Sequence, residues 1–502
     1  MIELTLQAAW QGFGLVFSWP NILYPVVGTL LAMAFAFVPG LSGVTLMALA
    51  IPWTFSWETE PTVLLFGALV GGGTFMGSIT AILFNIPGTA PNAATMLDGY
   101  PMAQQGKART AIACSATASA MGSTVGVLLL IAMIPFLSRI VLAFGPFELL
   151  LLAVWGLSTI ALVSRRSMLK GLIAAGLGLL VGFVGLDPRT AEPRYTFGAE
   201  YLLDGVPIVP TFLGLFALAE MISLFASGRR RITNEGVDVS GGDVVEGLLA
   251  VVRYPRVFLS SSALGWLVGT IPGVGGTVAA FVAYGQTARS NPDGRFGAGD
   301  VRGVLAPESA NDAKDGGSLL PVLAFGIPGS EGTVLLLAAL TIHGVVPGRE
   351  LLEGQLTLVF VLIWSLFLSN WLTSVLGLAA SGQLARFTLV PAQSLIPFIF
   401  VLVMLAALAY SGSFNDVLVC AGFGLFGYWM KVHGWPRVSF VIALVLAALF
   451  ETNLHLTLRL IELDRLDPLQ RPVALALLAL LLATPAWSLL RRLRGSRSIS
   501  AK

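Results

Sequence analysis

The sequence predicts an all-α polytopic membrane protein. Of its 502 residues, 56% are hydrophobic and only 11% are charged, whereas soluble domains carry roughly 25% charged residues. Apolar runs of about 20 residues, long enough to span a bilayer, recur along the chain. Several are interrupted by Pro-Gly pairs at matching places in the two halves of the sequence. We therefore expect an inverted-topology repeat of about 11–12 transmembrane helices, with two re-entrant helical hairpins and broken helices.

The first inverted repeat is predicted at residues 1–228. It opens with a long crossing at 21–53 that Pro39-Gly40 interrupts, because proline lacks a backbone donor and glycine frees φ. A helical hairpin follows at 72–103, with Ile86-Pro87-Gly88 at its tip, since its second arm is too short to cross a bilayer alone. Four spans complete the repeat, at 108–134, 146–163, 169–186 and 211–227.

The second inverted repeat is predicted at residues 257–467. A linker at 229–256 precedes it and is expected to be cytoplasmic, because it begins with three arginines. The repeat has the same order: a broken crossing at 257–287 with Pro272-Gly273, then a hairpin at 317–346 with Ile327-Pro328-Gly329. Four spans follow, and residues 468–502 add a C-terminal transmembrane helix and a basic cytoplasmic tail. The spans are expected at 352–376, 395–410, 417–430 and 438–450.

The spacing of the Pro-Gly breaks supports a repeat. The breaks in the two crossings lie 233 residues apart, and the two hairpin tips lie 241 residues apart. Each half contains five full crossings, and an odd number turns the second half upside down. Clusters of Lys and Arg are separated by even numbers of spans, which places the C-terminus in the cytoplasm.

The interrupted helices are the candidate transport site, because non-helical backbone at membrane depth is tolerated only where it is buried in protein or lines a cavity. Backbone N–H groups after a break attract carboxylates, and carbonyls before it can coordinate Na⁺. The tips contain no Lys or Arg, so helix ends and bound Na⁺ are expected to balance the substrate's charge. Candidate substrate-binding residues are Asn85, Pro87, Gly88, Thr89, Asn92, Pro328, Gly329, Ser330, Glu331 and Thr333. Candidate ion-binding residues are Gly40, Ser42, Gly43, Thr45, Gly273, Gly276 and Thr277.

Several of these residues have a second interpretation. Small polar side chains also join helices within a bilayer. Glu331 is either a functional intramembrane acid or a charge favoured by the helix dipole. Asp98 is interpreted as the cap or end of the first hairpin. The polar cluster 307–317 either lines the entrance of the site or forms a solvated loop, and its density of Asn, Asp and Gly favours the entrance.

Other classes of function lack support in the sequence. The net charge of +2 does not indicate nucleic-acid binding, and neither a Walker loop nor a metalloprotease motif occurs. The two cysteines, Cys114 and Cys420, lie in apolar runs and are expected to be buried. We therefore expect a transporter and not an enzyme. The alternative is a passive channel or scaffold subunit without ion coupling, although neither would need two inverted hairpins.

The sequence resembles the large permease of tripartite tricarboxylate transporters, the TctA family. In the first half the resemblance lies in Pro39-Gly40-Leu41-Ser42-Gly43, in the run 77–89 and in Asp98-Gly99-Tyr100-Pro101-Met102-Ala103. In the second half it lies in the runs 306–313 and 325–330. These motifs are distributed over most of the chain.

The resemblance implies a multi-pass subunit of the bacterial inner membrane. It implies uptake of citrate-like or other organic di- and tricarboxylates, driven by an ion gradient that is usually Na⁺, with no other cofactor. It also implies two protein partners. One is a small four-helix membrane subunit like TctB, and the other is a periplasmic substrate-binding protein like TctC.

Overall fold

In the part of the chain that it describes, the computed structural model consists of helices and their connections, with one pair of short antiparallel strands, β1 (Gly185–Leu186) and β2 (Pro193–Arg194). It divides into two compact units. Unit 1 comprises Met1–Ser138 and Pro207–Val438, and unit 2 comprises Arg139–Val206 and Ser439–Lys502. The predicted repeat boundaries stay predictions. The structure describes residues 2–37, 42–163, 168–227, 241–387, 396–467, 470–479 and 481.

The first half of the chain is a series of helices separated at its Pro and Gly residues. The predicted crossing 21–53 is two helices, and the hairpin 72–103 is a pair of helices around Pro87-Gly88. The helices are α1 (Ile2–Val16), α2 (Leu23–Phe37), α3 (Gly43–Trp53), α4 (Thr59–Gly71), α5 (Thr74–Phe84), α6 (Asn92–Gln104), α7 (Ala108–Ala143), α8 (Pro146–Val163) and α9 (Met168–Gly182).

The second half follows after a short 3₁₀ turn at Glu200–Leu202. A π-helical segment, Leu213–Leu218, joins the first two helices, and the predicted crossing 257–287 is again two helices. The helices are α10 (Ile208–Phe212), α11 (Ala219–Ser227), α12 (Val244–Leu248), α13 (Ala250–Arg253), α14 (Pro255–Gly269), α15 (Gly275–Ser290), α16 (Arg302–Phe325), α17 (Glu331–Ile342), α18 (Arg349–Gly354), α19 (Leu356–Phe387), α20 (Ile396–Ser411), α21 (Phe414–Val432) and α22 (Arg437–Glu462).

Five helical stretches in the described part of the chain are long and apolar enough to cross a membrane, which supports a multi-pass membrane protein. Further apolar helices have only 10–17 residues, in part because Pro-Gly breaks divide the crossings, as between α2 and α3. The long stretches are Thr59–Phe84, Ala108–Leu137, Ile208–Ala226, Leu356–Ser381 and Arg437–Glu462.

The first arm of the second hairpin, α16, is longer than predicted. It begins at Arg302 and not at residue 317, so the polar cluster 307–317 lies in a mostly buried helix and is not a solvated loop. Glycines on the neighbouring helices make this possible, because they let backbones approach closely. A Cβ on Gly265 of α14 would lie 2.1 Å from the carbonyl oxygen of Ala310, and one on Gly126 of α7 would lie 2.5 Å from that of Ala313.

Candidate functional site

Both hairpins leave their first helix through the same backbone conformation. Helix α5 ends at Asn85 with φ 55°, and helix α16 ends at Gly326 with φ 65°, both left-handed. Glycine and asparagine adopt this conformation with the least strain. The repeated Phe-x-Ile-Pro-Gly sequence therefore encodes the same turn twice, with the permissive residue directly before the isoleucine.

The first hairpin tip is held together by Asn92, which is fully buried. Its Oδ1 atom accepts the N–H of Thr89 at 3.0 Å, and its Nδ2 atom donates to the hydroxyl of Ser78 at 2.7 Å. The N–H of Gly88 donates to the carbonyl of Gly77 at 3.2 Å. Asn85, Pro87, Gly88, Thr89 and Asn92 are thus brought together, as predicted for neighbours in the sequence, with Asn85 and Pro87 exposed.

The second hairpin tip repeats this arrangement with different side chains. The hydroxyl of Thr333 accepts the N–H of Ser330 at 2.8 Å and that of Gly329 at 3.0 Å. Ser330 caps α17 in return, since its hydroxyl accepts the N–H of Thr333. The backbone donors predicted to hold the substrate are therefore bonded within their own tips in this structure. Pro328 and Gly329 are buried, and Ser330 is half-buried.

The broken crossings present the predicted ion-binding residues at the starts of helices. The hydroxyl of Ser42 caps α3 by accepting the N–H of Thr45 at 3.3 Å, and Gly43 is the first residue of that helix. Gly273, with φ 77°, precedes α15, and Gly276 and Thr277 lie in its first turn. Gly40 lies outside the described residues.

Each broken crossing packs against the hairpin of the other half. A Cβ on Gly276 of the second crossing would lie 3.1 Å from Cγ of Pro91 in the first tip and 2.4 Å from Oδ1 of Asn311. Helix α3 of the first crossing packs against α17 of the second hairpin, where Gly332 lies near Met47. Gly276 thus joins Pro91 in a cluster at the first tip, and α3 packs against α17, which begins directly after the second tip.

Helix α16 carries a carboxylate that binds four hydroxyl groups. Glu308 is 1% exposed, and its oxygens accept hydrogen bonds from Ser78, at 2.7 Å, and from Thr95. The hydroxyls of Ser115 and Ser119 on α7 also donate to it, at 3.0 and 3.1 Å. A carboxylate is acceptor-only, so four donors suit its ionised form. Glu308 thereby joins both arms of the first hairpin to α7.

One turn further along α16, the polar side chains are buried but mostly unbonded. Asn311 is 2% exposed and Asp312 is fully buried. Within the described part of the chain, neither amide atom of Asn311 and neither oxygen of Asp312 has a hydrogen bond in good geometry. Ser119 also comes near Asp312, but its hydroxyl donates to Glu308. Lys314 pairs with Oδ1 of Asp315, whose Oδ2 has no partner among the residues that the structure describes.

Two residues of α16, seven positions apart, lie near the residues that surround the two tips. Asn311 lies against the cluster of the first tip through Gly276, and Ser318 lies against the second, its Cβ 3.4 Å from the Cβ position of Gly329. Seven helical residues rise about 10 Å. Lys314 and Asp315 lie between these two points. Sequence reasoning missed this pair, although the unbroken run from Arg302 to Phe325 contains no Pro-Gly stop that would have ended a helix.

Two acidic residues singled out in the sequence have defined surroundings. Asp98 lies inside α6 and does not cap it; its Oδ1 accepts the N–H groups of Gly297, Gly299 and Asp300, and Tyr284 donates to its Oδ2. Asp98 therefore holds the loop before α16 against α6 through these hydrogen bonds. Glu331, in the first turn of α17, has Arg437 and Glu220 as charged neighbours.

One group of metal-ligand type lies in unit 2, where Asp187, Glu451 and His455 converge. The guanidinium of Arg194 already pairs with both acids, at 3.2 Å from Asp187 and 2.5 Å from Glu451. Because the Arg194 guanidinium already neutralises both carboxylates, we interpret the group as an ion-pair network.

Helices broken at Pro-Gly pairs, two helical hairpins and five long apolar stretches in the described part of the chain define an all-α polytopic membrane protein. The family described as the Tripartite tricarboxylate transporter TctA family matches residues 22–442. The chain belongs to this family, which confirms the resemblance seen in the sequence. It is therefore a membrane subunit of the tricarboxylate-transporter type, whose family implies partner subunits.

Two relatives from Agrobacterium vitis are similar to this chain. The "Uncharacterized 52.8 kDa protein in TAR-I ttuC' 3'region" is 30% identical over 492 residues, covering 97% of this chain and 96% of that protein. The "Uncharacterized protein in TAR-II ttuC' 3'region" is 29% identical over 235 residues, covering 46% of this chain and 97% of that protein. No solved structure matches.

Proposed function

We propose that this chain is the permease subunit for ion-coupled uptake of di- and tricarboxylates, such as citrate, across the bacterial inner membrane. Na⁺ is the proposed coupling ion. A periplasmic binding protein like TctC would deliver the substrate, and a small four-helix subunit like TctB would accompany the permease. The observation that carries the proposal is that two residues of one buried polar helix, about 10 Å apart along its axis, lie near the surroundings of the two tips. Asn311 lies beside Gly276, which packs against Pro91 of the first tip, and Ser318 lies beside Gly329 of the second tip.

The tips can exchange an internal acceptor for a substrate carboxylate. At present the N–H of Thr89 donates to the Asn92 side chain, and those of Gly329 and Ser330 donate to the Thr333 hydroxyl. A carboxylate oxygen could replace either side chain as acceptor, so binding would leave no backbone donor unsatisfied. Such an exchange of near-equal bonds also favours release, which transport requires.

The proposed Na⁺ ligands lie at the broken crossings. The hydroxyls of Ser42, Thr45 and Thr277 are oxygen donors next to backbone that is not helical, and hard cations take oxygen ligands. Each crossing packs against a tip, so an ion bound there would lie beside the carboxylate and offset part of its charge.

Uptake into proteoliposomes tests this function. The full chain would be reconstituted with its two partner proteins, and entry of radiolabelled citrate and succinate measured under an inward Na⁺ gradient. We expect accumulation above the external concentration, lost when Na⁺ is equal on both sides. A passive channel would only equilibrate the label. Accumulation that follows a pH gradient and ignores Na⁺ would overturn Na⁺ coupling and make Glu331 the first residue to test as a proton carrier.

A further inference from the structure

A carboxylate bound between the tips needs more positive charge than the tips supply. Their backbone donors are bonded internally, and neither tip contains Lys or Arg. Placing an uncompensated anion in a low-dielectric interior is unfavourable by several kcal/mol or more. A nearby cation that can change partners would meet this requirement.

Lys314 lies where such a cation is needed. Its side chain is 12% exposed, and its Cε atom would be 2.7 Å from a Cβ on Gly276, in the cluster of the first tip. It lies four residues before Ser318, which contacts Gly329 of the second tip. Its bonded partner is Asp315, the next residue along the helix.

The surroundings of this pair contain unused polar groups. Both amide atoms of Asn311 are buried and unbonded in the described part of the chain, and Asn311 Oδ1 points to the same glycine as Lys314. Oδ2 of Asp315 also has no hydrogen bond to any residue that the structure describes. Buried polar groups are satisfied in most proteins, so an unsatisfied amide beside an ion pair indicates a place where a ligand binds.

We propose that Lys314 binds a carboxylate of the transported anion and that Asp315 is its counter-ion in the empty state. This assignment rests on the proposed function. The anion would displace Asp315 from the ammonium group, while the Asn311 amide would donate to the same carboxylate. Asp315 therefore competes with the substrate for Lys314, which gives the two residues opposite effects on affinity.

Equilibrium binding to the detergent-purified full chain tests the assignment, with citrate, succinate and acetate as probes. The variants are Lys314→Met, Lys314→Arg, Asp315→Asn and the double variant Lys314→Met with Asp315→Asn. The double variant removes both charges together, which proteins tolerate better than one buried unpaired charge. Lys107→Met, at an exposed lysine beyond α6, is the matched control. Thermal unfolding of each variant is measured in parallel.

We expect Lys314→Met and the double variant to weaken citrate binding by about 30-fold or more, because a buried ionic contact is lost. Lys314→Arg keeps the charge and should remain within about tenfold of wild type. Asp315→Asn should tighten binding by about tenfold, because the competing anion is gone. A structural role alone would not produce tighter binding. Lys107→Met should bind as wild type does.

Two different failures are distinguishable. If wild type binds citrate or succinate and the double variant binds equally well, Lys314 is not the anion-binding group, and the proposed function stands. If Asp315→Asn binds citrate no more tightly than wild type does, Asp315 does not compete with the anion for Lys314. If wild type binds none of the probes, the assignment of Lys314 is wrong, and uptake by the reconstituted complex alone decides the proposed function.

Discussion

Gly77 occupies the space in which Gly88 would carry a side chain. A Cβ on Gly88 would lie 2.3 Å from Cα of Gly77, and the two residues share a backbone hydrogen bond of 3.2 Å. The corresponding residue of the second hairpin, Gly329, has more space, since its Cβ position is 3.4 Å from Ser318 and Gly269. The first tip is therefore packed against its own helix more tightly than the second.

Alanine substitutions at these two glycines should have unequal effects. Gly88→Ala forces the tip away from α5, and overpacking of this kind costs about 1–3 kcal/mol. Gly329→Ala makes only ordinary contacts and serves as the matched control. We expect a clear fall in the midpoint of thermal unfolding for Gly88→Ala alone. Equal effects at both positions would contradict the difference in packing.

The left-handed residues at the ends of α5 and α16 give a second prediction. Asn85→Gly should be neutral or slightly stabilising, because glycine adopts φ 55° without strain. Gly326→Ala should destabilise the protein by about 1–2 kcal/mol, since a Cβ is unfavourable at φ 65°. Gly326→Asn should recover part of that loss, as asparagine is native at the matching position. Chemical unfolding of the purified variants measures their free energies of unfolding. Equal stability of Gly326→Ala and Gly326→Asn would contradict the prediction.

The parts of the fold that local backbone chemistry determines were predictable from the sequence. Pro39-Gly40, Pro87-Gly88, Pro272-Gly273 and Pro328-Gly329 each mark a helix break, and the structure has a pair of helices around every one of them, although residues 38–41 are outside its described part. Proline and glycine act on their own residue, so no tertiary information is needed.

The buried helix α16 could not be predicted in the same way. When only neighbours in the sequence are considered, its cluster of Glu, Asn, Asp and Lys fits a site entrance or a solvated loop, and neither interpretation predicts a continuous buried helix. The groups that allow its burial are distant: Ser78 and Ser115, which bond Glu308, are 230 and 193 residues away in the chain. Tertiary hydrogen bonding thus overrides local polarity, and Lys314 lies in the helix that leads to the second tip.

Glu308 should be important for stability as an ionised acceptor. In Glu308→Gln one oxygen becomes an NH₂ group, so two of the four donating hydroxyls lose their acceptor. Hydrogen bonds to charged groups contribute about 1.5–3 kcal/mol, and we expect a loss of about that size in the free energy of unfolding. Glu353→Gln is the control, because Glu353 is exposed and pairs only with Arg349 in the described structure. A loss as small as that of the control would contradict the predicted role.

Asp300 should make stability depend on pH. Burial opposes its ionisation, but hydrogen bonds and the charge of Arg302 outweigh burial and lower the pKa of Asp300 below its ordinary value of 3.8. A lowered folded pKa adds stability above the unfolded pKa, and this contribution is lost as pH falls through the folded pKa. The difference in unfolding midpoint between wild type and Asp300→Asn should therefore be constant above about pH 5 and shrink below 3.8. A difference that grows in acid would contradict the sign of the shift.

The orientation of the chain in the membrane remains a prediction from its cations. Arg165, Arg166 and Lys170, the run Arg229–Arg231 and the tail arginines should be cytoplasmic by the positive-inside rule, and even numbers of spans separate them. The segment 187–210 then faces the periplasm, and Ala199 within it is exposed. Both native cysteines are buried, so a membrane-impermeant maleimide should meet little background. We expect Ala199→Cys to react in spheroplasts with intact membranes and Ser500→Cys, in the tail, to react only after permeabilisation. The opposite pattern would invert the topology, and with it the side from which a binding protein could deliver substrate.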